Sequence, residues 1–215
     1  MEVQVEVIGA ANGSLMVAAR RLGRPHPGAR GLPRLLAFTD PARTPDVLAL
    51  AARLPRGAGL VYRAFGASDG ASRASALARI AGRQGVTLFI GADVAIATAA
   101  GAAGVHLPER LARRRGWITA LRSRFLVTAA AHDLPAIRRA KAAGVSAVII
   151  SPVFPSRSPS AGRPLGVTRF ARLVREAGLP VYALGGVTLG TAPRLRGTGA
   201  HGLAAVDAFR SAADV

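Results

Sequence analysis

Cysteine is absent from the chain, so no disulfide framework, thiolate-held metal or thiol nucleophile enters its chemistry. Lysine is almost absent as well: Lys141 stands alone, and arginine carries the positive charge. Aromatic side chains are 5% of the residues, too few to offer single-stranded nucleic acid a stacking platform. Long apolar runs are missing too. The longest, residues 145–154, is broken by Ser146, Ser151 and Pro152 and falls short of the roughly 18 residues of a membrane-spanning helix. Met1–Ala10 carries Glu2 and Glu6 and no basic stretch, the opposite of an export signal. The arginine-rich stretch Ala19–Arg34 mildly resembles a transit peptide, but arginine is dense throughout. A soluble cytoplasmic protein is the expectation.

What is present is a core-forming chain with a strong charge bias. Half of its 215 residues are hydrophobic, enough for one sizeable domain around a single core. Twenty-nine basic residues against 11 acidic ones leave a net charge of +18. Such a field draws anions: nucleic acid, acidic membrane or small phosphorylated molecules.

From residue 35 onward, strand and helix signals alternate. Short apolar runs at Leu35–Phe38, Gly59–Tyr62, Val86–Ile90, Gly104–Leu107, Phe125–Thr128, Ala147–Ile150, Pro180–Leu184 and Gly202–Val206 lack strict alternation. They read as strands buried on both faces, as in a parallel sheet. Helical spacing appears between them at Pro45–Leu54, Ala71–Gly82, Asp93–Ala100, Asp133–Ala143 and Thr168–Ala177. Pro45 suits a first turn, Asp133 an N-cap, and Gly144 and Gly178 the position after a helix end. Eight such units point to an α/β (β/α)8 TIM barrel, compact at about 180 residues where about 250 is typical. A doubly wound open sheet is the alternative. Residues 1–34 stand apart as an N-terminal extension. Met1–Ile8 alternates, Ser14–Leu22 suits a helix that would replace a short or missing last barrel helix, and Gly23–Pro33 reads as a linker. The expected division is therefore 1–34 and 35–215.

A barrel of this kind builds its site from the loops that follow the strands. Those loops offer Thr39 and Asp40, Arg63, Gly91 to Asp93, Pro108 and Glu109, His132, the long segment Ser151–Gly166, Gly185-Gly186, and Val206-Asp207. Glycines after strand seven with a turn after strand eight are a common phosphate-holding arrangement, because main-chain N–H groups approach the anion unobstructed. A tight turn that merely needs glycine explains the same pair.

Five strings in order along the chain carry a more specific likeness: Leu35-Leu36-Ala37-Phe38-Thr39-Asp40, Gly104-Val105-His106-Leu107, Ser151-Pro152-Val153-Phe154-Pro155-Ser156 with Pro164-Leu165-Gly166, Ala183-Leu184-Gly185-Gly186-Val187, and Gly199-Ala200-His201-Gly202-Leu203-Ala204. Over roughly residues 35–210 the chain resembles the thiamine phosphate synthase family, including its thiazole tautomerase relatives. The resemblance implies that a thiazole phosphate nitrogen displaces pyrophosphate from hydroxymethylpyrimidine diphosphate, with Mg2+ as cofactor and small phosphorylated substrates as partners. It also implies residue roles. Arg63 matches the arginine that faces the diphosphate, and Ser156 and Ser158 match the hydroxyl residues of the strand-six loop. Gly185, Gly186, Val206 and Asp207 match the thiazole-phosphate cradle, and His132 matches a histidine found after strand five.

The departures are equally specific. Phe65 and Pro159 stand where the family has lysines, Gly91-Ala92 where it has an Asn-Asp pair, and Leu111 where it has a second carboxylate. Asp207 replaces a serine beside the phosphate, and Pro152 replaces the histidine of the tautomerases. Asp93 and Glu109 are the neighbouring candidates for holding metal, with a helix cap and a solvated loop residue as their ordinary readings. Arg157 and Arg163 are candidates for the lost lysine charge. His106 reads as a core histidine, and the arginine runs 113–115 and 138–139 as solvated helix surface. Three functions follow: a thiamine phosphate synthase; a relative that keeps the phosphate site without the metal-dependent step; and a basic nucleic-acid-binding protein. No membrane partner is expected, nucleic acid is disfavoured, and a homo-oligomer stays open.

Overall fold

The computed structural model describes residues 14–156, 158 and 162–209. The expected N-terminal strand, Met1–Ile8, lies outside them. Eight parallel strands close into a ring in chain order: β1 Leu35–Phe38, β2 Gly59–Tyr62, β3 Thr87–Gly91, β4 Gly104–Leu107, β5 Leu126–Ala131, β6 Ala147–Ile150, β7 Val181–Ala183 and β8 Gly202–Ala205. The seam is closed by β1 against β8, with Leu35 opposite Leu203 and Ala37 opposite Ala205. This is the barrel anticipated above; the open sheet is excluded because no strand edge is left free.

Two apolar layers hold the ring. The inner one contains Leu36, Phe38, Val61, Phe89, Ala147, Ile149, Tyr182 and Ala204, and the outer one joins the alternate strand positions to the helices. Room for the large inner side chains comes from glycines on the neighbouring strand. Gly59 pairs with Leu36, Gly104 with Phe89 and Gly202 with Tyr182. At each of the three, a Cβ would collide with the larger neighbour's side chain. Small beside large lets such a narrow ring fill without voids.

The helices are α1 (residues 14–20), α2 Val47–Arg53, α3 Gly70–Gln84, α4 Val94–Ala99, α5 Arg115–Arg122, α6 Leu134–Ala143 and α7 Gly166–Ala177. Helix α2 begins later than the proline suggested, because the Asp46 carboxylate accepts the Ala49 N–H and makes residue 46 the cap. Asp133 caps α6 in the same way, and Gly85, Gly144 and Gly178 close α3, α6 and α7 in the left-handed conformation. Helix α5, expected beside the arginine run 113–115 but without bounds, buries Ile118 and Leu121. Among the described residues, the segments after β7 and β8 hold short 3-10 turns, Ala192–Leu195 and Asp207–Phe209.

Helix α1 buries Leu15, Met16 and Ala19, with Leu22 just beyond it. The Arg34 guanidinium, one residue before β1, donates to the carbonyls of Ala19 at 2.9 Å and Gly23 at 2.8 Å. That contact satisfies the end of the helix and ties it to the barrel floor. Among the described residues no helix is long and apolar enough to cross a membrane.

Two histidines are buried in the ring. His106 hydrogen-bonds Thr128 at 3.1 Å through Nδ1, and burial, helped by Arg63, pushes it down to about 3. His201 packs edge-on to Tyr182; burial first and Arg34 second push it down to about 4. Both values lie below the roughly 6.5 of an unfolded histidine. Folding therefore favours the neutral form: this contribution is complete above about pH 6.5 and is lost as the pH falls toward the folded values. The unfolding free energy from urea titrations should decline between about pH 6.5 and 5, above the carboxylate range, by about 1–2 kcal/mol per pH unit. A flat profile over that window would contradict neutral burial of both rings.

Candidate functional site

A cavity of about 590 Å³ opens at the C-terminal mouth of the ring. Each wall comes from the end of a different strand. Arg43 follows β1, Arg63 follows β2 and His132 follows β5; Ser151, Pro152, Ser156, Ser158 and Arg163 follow β6. Gly185 to Thr188 follow β7, Val206 and Asp207 follow β8, and Arg169 reaches in from α7. His106 and Phe38 lie on the lining as well. Among the described lining residues, four arginines face one carboxylate, that of Asp207, so the cavity is strongly electropositive.

Arg63 is held by its neighbours in a fixed pose. Its main-chain N–H donates to Thr39 Oγ1 at 3.0 Å and its Nε to the Thr39 carbonyl at 2.7 Å. Its Nη2 lies 3.5 Å from Asp40 Oδ2. The guanidinium carbon sits 5.6 Å from the Phe38 ring centre and 5.1 Å from that of Phe65. Phe65, 65% exposed and at φ 50°, thus replaces a second cation with a ring that steadies the first. Burial pulls the Arg63 guanidinium below its ordinary value, and Asp40 opposes that shift. Nη1 has no described protein partner, which leaves one face of the fork for a ligand.

The opposite wall is main chain. Tyr182 pairs with Gly202 and Ala183 with Leu203, and just past those strands Gly185, Gly186, Val206 and Asp207 line the same cavity. Both glycines have positive φ, 89° and 64°. A Cβ on Gly185 would lie 2.7 Å from Pro152 Cα, and one on Gly186 would strike the Pro155 carbonyl. The pair is therefore required for packing against the β6 loop, whose Val153 and Phe154 N–H groups donate to Leu184 and Gly185. Both explanations offered for these glycines hold together. The turn needs them, and among the described residues the N–H groups of Gly185, Gly186, Val206 and Asp207 donate to no protein acceptor. Four free donors beside a basic cavity suit an anion.

His132 is oriented by Nδ1, 2.7 Å from the Ser151 carbonyl; since a carbonyl only accepts, the proton sits on Nδ1 and Nε2 is left as the acceptor. Ser156 Oγ receives the Ser158 N–H at 3.3 Å, which folds the β6 loop back on itself.

The candidate metal ligands lie away from the cavity lining. The Asp93 carboxylate caps α4 through the Ile96 N–H at 2.9 Å, and Glu109 pairs with Arg139 at 3.1 Å. At the family's Asn-Asp position, a Cβ on Gly91 would come 3.0 Å from Arg63 Cγ, so the arginine stem fills that space. Asp40 is engaged by Arg43 at 3.0 Å as well as by Arg63. The Arg43 hydrogen bond, its largest influence, holds its carboxyl below the usual range. No group of three or more metal-ligating side chains exists among the described residues. This donor set does not fit a carboxylate-held Mg2+.

Asp207, a carboxylate at the edge of the cavity, would repel an anion placed there. It turns toward Arg43 instead, at 3.3 Å. Arg157 and Pro159 lie outside the described residues. Arg43 and Arg169 were missed by the sequence reading; Arg43 lies in the β1–α2 loop and Arg169 in α7, and neither directly follows a strand.

Residues 37–209 match a family model described as thiamine monophosphate synthase. A putative thiamine-phosphate synthase from Geobacter sulfurreducens is 35% identical, over 63% of this chain and 64% of its own length. A thiamine-phosphate synthase from Thiobacillus denitrificans is also 35% identical, over 67% and 69%. A Synechococcus relative of the same name is 31% identical, over 84% of this chain and 53% of itself. The chain thus spans between about half and just over two thirds of these relatives. In structure it is similar to the thiamine phosphate pyrophosphorylase of Pyrococcus furiosus, with a TM-score of 0.68 at 20% identity, covering 84% of this chain and 92% of that one.

The glycine pair allows a direct check. Gly186→Ala adds a methyl against the Pro155 carbonyl and a positive-φ cost, together about 2–4 kcal/mol, and should lower the thermal midpoint by several degrees. An unchanged midpoint would mean that the β6 and β7 loops are not in contact.

Proposed function

The chain belongs to the thiamine monophosphate synthase family, and from that premise we propose that it joins hydroxymethylpyrimidine diphosphate to a thiazole phosphate. The thiazole nitrogen lone pair forms a bond to the pyrimidine methylene while the methylene carbon–oxygen bond breaks. Pyrophosphate leaves with that electron pair, and the ring nitrogen becomes the thiazolium of thiamine phosphate. Two anions must be held at once, one of them gaining charge as the reaction proceeds.

Arg63, pre-oriented by Thr39 and flanked by two rings, is suited to the departing diphosphate. Gly185, Gly186, Val206 and Asp207 offer main-chain N–H groups to the thiazole phosphate, and Ser156 and Ser158 offer hydroxyls between the two. Nε2 of His132 is available to accept a hydrogen bond from a substrate amino group. The observation that carries this reading is that the unpartnered N–H groups of β7 and β8 face the same cavity as Arg63. The small phosphorylated substrates and a cytoplasmic location go with it.

The Mg2+ implied by the family finds no carboxylate pair here, so charge neutralisation falls to arginine. That same observation favours a second reading, a phosphate-ester-binding relative without the condensation step. Incubation with both substrates separates the two: thiamine phosphate appears under the first and not under the second, while thiazole phosphate raises the melting temperature under both. If the first holds, Arg63→Ala lowers kcat/KM by about 100-fold or more, and Arg63→Lys recovers only part because it lacks the planar fork. Pyrophosphate binding should persist in EDTA. A strict metal requirement for that binding would refute neutralisation by arginine.

A further inference from the structure

Asp207 is the feature that the anion cradle explains least. Its carboxylate belongs to the residue whose own N–H is one of the free donors, and it lines the same cavity. Left uncompensated it would oppose any phosphate placed there. The structure compensates it from across the barrel seam. Arg43 Nη1 lies 3.3 Å from Asp207 Oδ1 and 3.4 Å from Oδ2, and Arg43 Nη2 holds Asp40 at 3.0 Å.

The β1 loop is wound to deliver that arginine. The N–H groups of Arg43 and Thr44 both donate to the Asp40 carbonyl, at 3.1 and 2.7 Å. Ala42 N–H donates to Asp40 Oδ1 at 3.2 Å, and Asp40 N–H to Thr44 Oγ1 at 3.1 Å. The outcome is a line of alternating charge, Asp207–Arg43–Asp40–Arg63, that joins the ends of β8, β1 and β2. The Arg43 and Asp207 side chains are only 15% and 26% exposed, so water screens this pair less than it would a surface pair.

We propose that Arg43 is a positioning residue: by neutralising Asp207 and turning its carboxylate toward the β1 loop, it makes the β7–β8 cradle competent to hold a phosphate without touching the phosphate itself. The proposal rests on the cradle reading above. It predicts a particular pattern of coupling. Removing Arg43 is costly because Asp207 remains, and removing both costs little.

The experiment is calorimetric titration of inorganic phosphate into the full chain and three variants, Arg43→Ala, Asp207→Asn and the double variant, at constant low ionic strength. Arg43→Ala should bind phosphate about tenfold more weakly. Asp207→Asn should bind as tightly as the unaltered chain or more tightly, and the double variant should return to within about threefold of Asp207→Asn. Arg43→Lys, which keeps the charge, should lose less than Arg43→Ala. Thermal midpoints of all four identify a folding failure, and a poorly folded Arg43→Ala leaves the decision to the Lys and double variants. A double variant as weak as Arg43→Ala would overturn the proposal, because Arg43 would then be contacting the anion or acting structurally. Binding by the unaltered chain that ignores Arg43→Ala would overturn the proposal and leave the cradle reading intact. No phosphate binding by any form would remove both.

Discussion

Ladder hydrogen bonds between β1 and β8 turn a row of eight strands into a ring, and every feature of the site depends on that closure. An open sheet would hold the end of β8 far from the ends of β1 and β2. Closed, it sets Asp207 against Arg43, 164 positions away in the chain, and, through Asp40, against Arg63. Closure is in turn limited by volume. A ring of eight strands has an interior just wide enough for side chains, and here Leu36, Phe89 and Tyr182 fit because glycine stands beside each. The constraint that fills the interior is thus also what brings the loops together.

The chemistry of the mouth follows from the substitution of guanidinium for carboxylate and lysine. A divalent ion held by paired carboxylates neutralises a diphosphate as a point charge, whereas an arginine presents a planar fork that must be aimed. Aiming requires supports. Thr39, Asp40, Phe38 and Phe65 all restrain Arg63, and Asp40 is shared with Arg43. The wall formed by Gly185, Gly186, Val206 and Asp207 offers main-chain donors, left without protein acceptors because the strand pairing ends and the glycines bend away. Charge stands on one side of the cavity and main-chain dipoles on the other.

How much of this was legible depended on the range over which each signal acts. Strands β1, β2, β4 and β6 were read to the residue because each is a short apolar run bounded by Gly, Pro or polar side chains. Strand β5 runs on to Ala131 through three alanines, whose weak strand preference is overridden by pairing on both sides. The bounds of α5 were not read because an eight-residue helix buries too few apolar side chains, Ile118 and Leu121, to show a clear period. In the site, Arg63, His132, the glycine pair and Val206-Asp207 all directly follow strands, and barrel logic alone carries strand ends to one mouth. Arg43 and Arg169 do not directly follow a strand, and nothing local sets them apart from the chain's many other arginines.

The order of residues by itself determined the alternation of strand and helix, the helix caps, the absence of thiol chemistry and the excess of positive charge. These arise from contacts a few positions apart or from composition, and neither requires knowing which strand neighbours which. Tertiary structure alone decided that Glu109 is occupied by an ion pair with Arg139, that Gly91 yields its space to Arg63, and that Asp207 is answered by Arg43. A charge takes its meaning from what lies within a few ångströms of it, and for Asp207 that neighbour is supplied by the closing of the ring.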